Sequence, residues 1–196
     1  MEEMEYSIER RKLRQGWFGI AISVLTPIIL VYLSLSVSLL LQDRDAKLSI
    51  DAQILKQKQS LYREIGANIN VIFVYLVDIG DYRKFTPDEI VDRKRSTDRI
   101  FFSYRPYWSE KTENSYKDFM NAAFKTYSGT GQKAKIRATT DEKKAAFKID
   151  GIAWKEQWDS AFTDKLKVDV NALYYDLVSA FLSDTVSPAI RELSKS

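Results

Sequence analysis

The residues best suited to chemistry lie between Arg93 and Trp108, in the stretch RKRSTDRIFFSYRPYW. Arg93, Lys94, Arg95, Arg99 and Arg105 are interleaved there with Phe101, Phe102, Tyr104, Tyr107 and Trp108. Guanidinium groups pair with phosphate, and aromatic rings stack on bases or settle among lipid headgroups, so these are the ingredients of an anionic-surface contact. The plainer alternative is an amphipathic helix that buries Ile100, Phe101 and Tyr104 and shows its charges to water, with Asp92 and Asp98 offsetting part of the positive field. If the stretch meets an anion, lipid beside a membrane anchor is expected ahead of nucleic acid.

A second basic element, GTGQKAKIR, offers Gly129, Gly131, Lys133, Lys135 and Arg137. It lacks the Gly-x4-Gly-Lys-Ser/Thr spacing of a phosphate-cradling loop and follows no strand pattern, so a solvated loop is expected. Acidic residues are plentiful but unsorted. Asp78 and Asp81 flank a helix end, and Glu156 and Asp159 lie among tryptophans, with no spacing that makes a metal cage or an acid/base pair. The chain contains no histidine and no cysteine. Triad hydrolysis, zinc hydrolysis, thiolate chemistry and disulfides are thereby excluded, and no cofactor or metal is expected. Nothing here points to an enzyme.

The remaining pattern of interest lies in an uncharged run, WFGIAISVLTPIILVYLSLSVSLLL, from Trp17 to Leu41. On a helix, Gly19, Ser23, Thr26, Pro27, Ser34 and Ser38 fall within about 120° of one another. Lipid gives helices no hydrophobic reason to associate, so small residues that allow close approach and hydroxyls that bond across must do it. This stripe is therefore the expected face for self-association or for lining a pore. The plain alternative is that each hydroxyl bonds back to its own helix.

The elements that must position these residues follow from the same pattern. A spanning helix needs roughly 20 apolar residues, which the run supplies. Arg10, Arg11, Lys12 and Arg14 precede it, with Trp17 and Phe18 at the expected interface, and the run ends in LLLQDRDA without a cleavage-site pattern. The sequence thus predicts a short basic tail over 1–16, a transmembrane helix over 17–41, a helical soluble domain over 42–190 and a tail over 191–196. The expected location is a bacterial inner membrane. Charge favours the N-terminus inside and the domain outside the cytoplasm, with a cytoplasmic domain as the alternative. The mean hydropathy of −0.31 averages these two unlike parts.

Beyond the anchor, Leu48, Leu55, Tyr62, Ile65, Ile69, Ile72, Leu76 and Ile79 keep heptad spacing, which predicts a stalk helix running into the core and stopping at Gly80. Thr86, Pro87 and Glu89 form a capping-box signature that opens a helix to about Tyr104. Ser109 or Glu110 opens the next, with a stripe from Tyr116 through Phe124 to Tyr127. A short helix at DEKKAAF follows, then one or two closing helices that carry Trp154, Trp158, Phe162 and Leu166 and end near Val186. No strand alternation is present. The expected fold is all-α: one N-terminal transmembrane helix continuing into a four- or five-helix bundle.

These features together predict a single-pass, membrane-anchored helical protein that acts by homo-oligomerisation or by scaffolding a protein partner at the bilayer. In build alone the chain resembles small anchored helical proteins of bacterial antiviral defence systems, including accessory proteins of CRISPR loci. That resemblance rests on no motif and transfers no residue; it implies an oligomeric membrane-perturbing or pore-forming effector. A ligand-sensing bundle is a further alternative, for which the short N-terminal tail leaves little room for an output module.

Overall fold

The computed structural model describes residues 2–127 and 131–186, with side chains from residue 30 onward. The chain divides into two compact units, Met1–Ala52 and Gln53–Ser196. Helix α1 (Glu2–Leu76) provides the described backbone of the first unit and its last turns belong to the second. In the first unit Leu30, Val31, Tyr32, Leu33, Leu35, Val37, Leu39, Leu40 and Leu41 are all exposed. At 100° per residue these positions point in every direction around the helix axis. Among the described residues no helix is long and apolar enough to cross a membrane. The expected span over 17–41 begins in residues 17–29, whose side chains lie outside the described ones.

The second unit is a four-helix bundle built from the end of α1, α2 (Pro87–Ser103), α3 (Glu110–Ala123) and α5 (Val170–Thr185). Side-chain pairs fix its directions. Asn68 meets Arg93 across α1 and α2, and Phe101 stacks on Tyr116 while Lys94 lies over Phe124, so α1, α2 and α3 alternate up, down and up. Gln59 reaches the Thr185 carbonyl and Phe73 stacks on Tyr174, which makes α5 antiparallel to α1. The topology is up-down-up-down, with short connections between α1, α2 and α3 and a long one, from 124 to 169, between α3 and α5. Its core joins Leu61, Ile65, Ile69 and Ile72 of α1 to Ile90, Phe101, Tyr116, Phe119, Leu177 and Phe181. Burial of these side chains, at about 25 cal/mol per Å² of apolar surface, is the main stabilising force of the unit.

The helix ends show why the elements begin where they do. The Thr86 hydroxyl accepts from the Glu89 amide and the Glu89 carboxylate accepts from the Thr86 amide, completing the capping box, with Pro87 at the first helical position. Ser109 caps α3, and Asp184 from α5 accepts from both the Ser109 amide and the Thr112 hydroxyl at 2.8 Å. A carboxylate at a helix N-terminus meets unpaired amides and the positive end of the dipole, so this contact ties α5 to α3.

The sequence reading is corrected in three places. α1 ends at Leu76, ahead of Ile79: Asp78 takes φ 58° and Gly80 φ 59°, and Ile79 is left half exposed. α3 ends at Ala123, so Phe124 leaves the helical stripe and, with Lys125, forms β1. β1 pairs antiparallel with β2 (Lys135–Arg137), which pairs parallel with β3 (Phe162–Thr163) in the order β1-β2-β3. The expected helix through Trp154, Trp158, Phe162 and Leu166 is a 3-10 turn (Glu156–Ala161) leading into β3, and among the described residues between α3 and α5 only α4 (Thr140–Ile149) is an α-helix. The aromatic spacing there reflects a ring cluster of Phe147, Trp154, Trp158 and Phe162, whose neighbours meet edge-on or tilted at 5.3–6.0 Å. Rings collected from a turn and a strand imitate a helical period. Strands this short carry no alternation for a sequence to show.

Candidate functional site

The five cations of the basic stretch do not form one patch. α2 and the turn after it send them to different surroundings. Arg93 turns inward, donating to Asn68 at 2.8 Å and lying over the Phe85 ring at 5.1 Å. Lys94 is buried and ion-paired with Asp98, whose other oxygen accepts from the Tyr116 hydroxyl at 2.7 Å. Burial, with Asp98 beside it, pushes the Tyr116 phenol far above its usual range, so it remains a donor. Arg95, Arg99 and Arg105 are exposed. Arg95 pairs with Asp92 at 3.3 Å, and Arg105 with Glu113 at 2.8 Å. Hydrogen bonds from Lys117 and Arg105 hold the Glu113 carboxyl below its usual pKa. Two of the candidate anion contacts are thus core and register elements, and three remain at the surface.

Phe101 and Trp108 are buried, while Phe102 and Tyr104 keep 48% and 38% of their surface exposed. The amphipathic-helix alternative therefore describes Phe101 correctly and Tyr104 incorrectly. Tyr104 follows the last turn of α2, where the helical period no longer governs direction.

A second cluster of charged and aromatic side chains lies at the end of α1. Lys143, with 1% of its side chain exposed, places its ammonium against the Tyr75 carbonyl and the Asp78 carboxylate at the end of α1. The rings of Tyr75 and Tyr82 lie 4.4 and 4.8 Å from it. Burial pulls the Lys143 pKa down, and Asp78 pulls against that shift. A cation here meets the negative end of the helix dipole and the unpaired carbonyls of the last turn. The signal was present: Lys143, Ala146 and Phe147 share one face of α4, and all are buried. A lowered amine pKa can mark a nucleophile, but this one is sealed from substrate, so the cluster fastens α4 to α1.

The loop GTGQKAKIR places Lys133 and Lys135 along a half-open cleft of about 590 Å³, with Asp88, Gln157 and Ser160 opposite. Gly129 lies outside the described residues. Lys133 approaches Asp88 at 4.0 Å, and Trp158 donates to the other Asp88 oxygen at 3.2 Å. Among the described residues, Asp88 is the one carboxylate that lines the cleft, against the two lysines. Asp159, placed among the tryptophans, is bonded by Lys144 at 2.7 Å and by Trp154 at 2.8 Å, which lowers its pKa. Among the described residues no three acidic side chains gather to hold a metal.

Of the small-residue stripe, Gly19, Ser23, Thr26 and Pro27 lie outside the residues with described side chains. Ser34 and Ser38 are exposed, and Ser36 donates to the Tyr32 carbonyl of its own helix at 2.9 Å. Comparison with known proteins finds no matching family model, no similar curated protein and no similar solved structure.

Proposed function

We propose that this chain is a single-pass, membrane-anchored helical protein that acts by homo-oligomerisation or by holding a protein partner at the bilayer, without catalysis. The observation that carries the reading is the exposed apolar helix from Leu30 to Leu41, each large side chain more than half exposed and together facing every direction. A helix apolar on all sides belongs in a protein core or in lipid. The uncharged sequence extends back to Trp17, giving the length that a bilayer requires. Ser34 and Ser38, four residues apart on this surface, supply a small-residue face for a second copy. The folded second unit is then the part presented at the membrane.

Two measurements test the reading. The full chain, expressed in a bacterium, should stay with the membrane through alkaline carbonate extraction; release into the supernatant rejects the anchor. In mild detergent, light scattering should give a mass above that of one chain, reduced by Ser34→Leu with Ser38→Leu. A strictly monomeric protein removes self-association and leaves partner scaffolding. The pore-forming reading uses the same stripe and additionally requires dye entry on overexpression. Unchanged membrane potential removes it.

A further inference from the structure

We infer that the second unit carries its own lipid contact: an arginine–aromatic face formed by Arg95, Arg99, Phe102, Tyr104, Arg105 and Pro106, which binds anionic phospholipid headgroups. The inference rests on the proposed membrane location and deepens it by naming a surface and its ligand chemistry. Arg95, Arg99 and Phe102 are spaced four and three residues apart, so they line one exposed side of α2, and Tyr104, Arg105 and Pro106, all exposed, follow directly at the helix end. Within the second unit this is the end at which the chain enters. Phe101, next to Phe102, meets Phe181; Phe181 meets Tyr62 of α1; and one turn further Gln59 holds the Thr185 carbonyl.

Charge complementarity selects the ligand. Ion pairs leave this face with cations in excess: Arg95, Arg99 and Arg105 stand against Asp92 and Glu113, and Glu113 is shared with Lys117 of α3. Arg105 remains 62% exposed beside its carboxylate. Phe102 stands near-perpendicular to Phe101 at 5.4 Å and to Tyr116 at 6.0 Å, so its exposed half is held in place as an apolar contact beside the arginines. Exposed Phe and Tyr beside arginine suit the headgroup region, where ring and charge are each solvated. The structure also removes Arg93 and Lys94 from any such surface, because their charged ends are engaged inside the unit.

The test uses the full chain reconstituted into vesicles of phosphatidylcholine alone and of phosphatidylcholine with phosphatidylglycerol. Hydrogen–deuterium exchange over residues 99–106 should slow only in the anionic vesicles and recover in high salt. Arg95→Gln with Arg99→Gln should weaken the effect by roughly fivefold per charge. Arg93→Gln should leave the lipid-dependent protection in place. Equal exchange in both vesicles overturns the inference even where carbonate extraction upholds the anchor. If extraction rejects the anchor, salt-sensitive binding of the same chain to anionic vesicles still supports the face, and its absence overturns it. Protection by a single-stranded oligonucleotide and not by lipid assigns the face to nucleic acid and overturns the lipid reading.

Discussion

Two stretches of α1 are made from the same kinds of residue and have opposite surroundings. Leu39, Leu40 and Leu41 are 54–66% exposed, while Ile65, Ile69 and Ile72 are 0–1% exposed. The difference is not hydrophobicity but distribution. From residue 61 onward the apolar positions recur at helical spacing, and charged residues such as Arg63 and Glu64 occupy the other side, so three further helices can cover the apolar stripe. Between Leu30 and Leu41 no side is polar enough to be left to water. A helix with one apolar face finds its partner within the chain; a helix with only apolar faces needs cover on every side, from protein or from lipid.

That contrast can be broken in three places. The largest effect belongs to the bundle: Phe101→Ala removes a ring stacked on Tyr116 at 3.8 Å and wedged against Trp108 and Phe181. It should lower unfolding stability by about 3–5 kcal/mol. Urea denaturation followed by tryptophan fluorescence measures it, and a loss below that of an ordinary surface change would mean the core is not formed as described. Next, Leu30→Arg should leave that denaturation midpoint where it is and weaken membrane insertion by roughly 2.5–3.5 kcal/mol, read as carbonate-extractable protein. A drop in the midpoint would mean the exposed helix is covered by protein after all. The smallest is Lys143→Met, which leaves the Tyr75 carbonyl and the Asp78 carboxylate unpaired; Asp78 is a third exposed, so water recovers part of the loss. About 1–3 kcal/mol is expected, with earlier proteolysis around α4. No change would show that the ammonium contributes nothing net to fastening α4.

The sequence made the bundle legible because its helices are bounded by residues whose chemistry is local. Thr86 with Glu89, and Ser109 with Thr112, act within one turn, so spacing alone reveals them. The segment between α3 and α5 is not legible in the sequence because its order is non-local. β1, β2 and β3 are two or three residues long, and the rings of Trp154 and Trp158 are placed by Phe147 and Phe162. The candidate face was half legible for the same reason. Composition drew attention to five cations together, but whether each points outward depends on Asn68 and Asp98, which composition cannot weigh.

The antiparallel pairing of α1 with α5 has a mechanical consequence. Residue 53 enters the bundle at the same end at which α5 finishes, so tension applied between Gln53 and Val186 would load the pair as a zipper and not in shear. The bond from Gln59 to the Thr185 carbonyl, the bonds of Asp184 to Ser109 and Thr112, and the ring contact of Tyr62 with Phe181 would bear the force first, with the stack of Phe73 on Tyr174 following later. A protein loaded this way opens by peeling, one rung at a time, at low force. The same four helices pulled from opposite ends would have to break their rungs together.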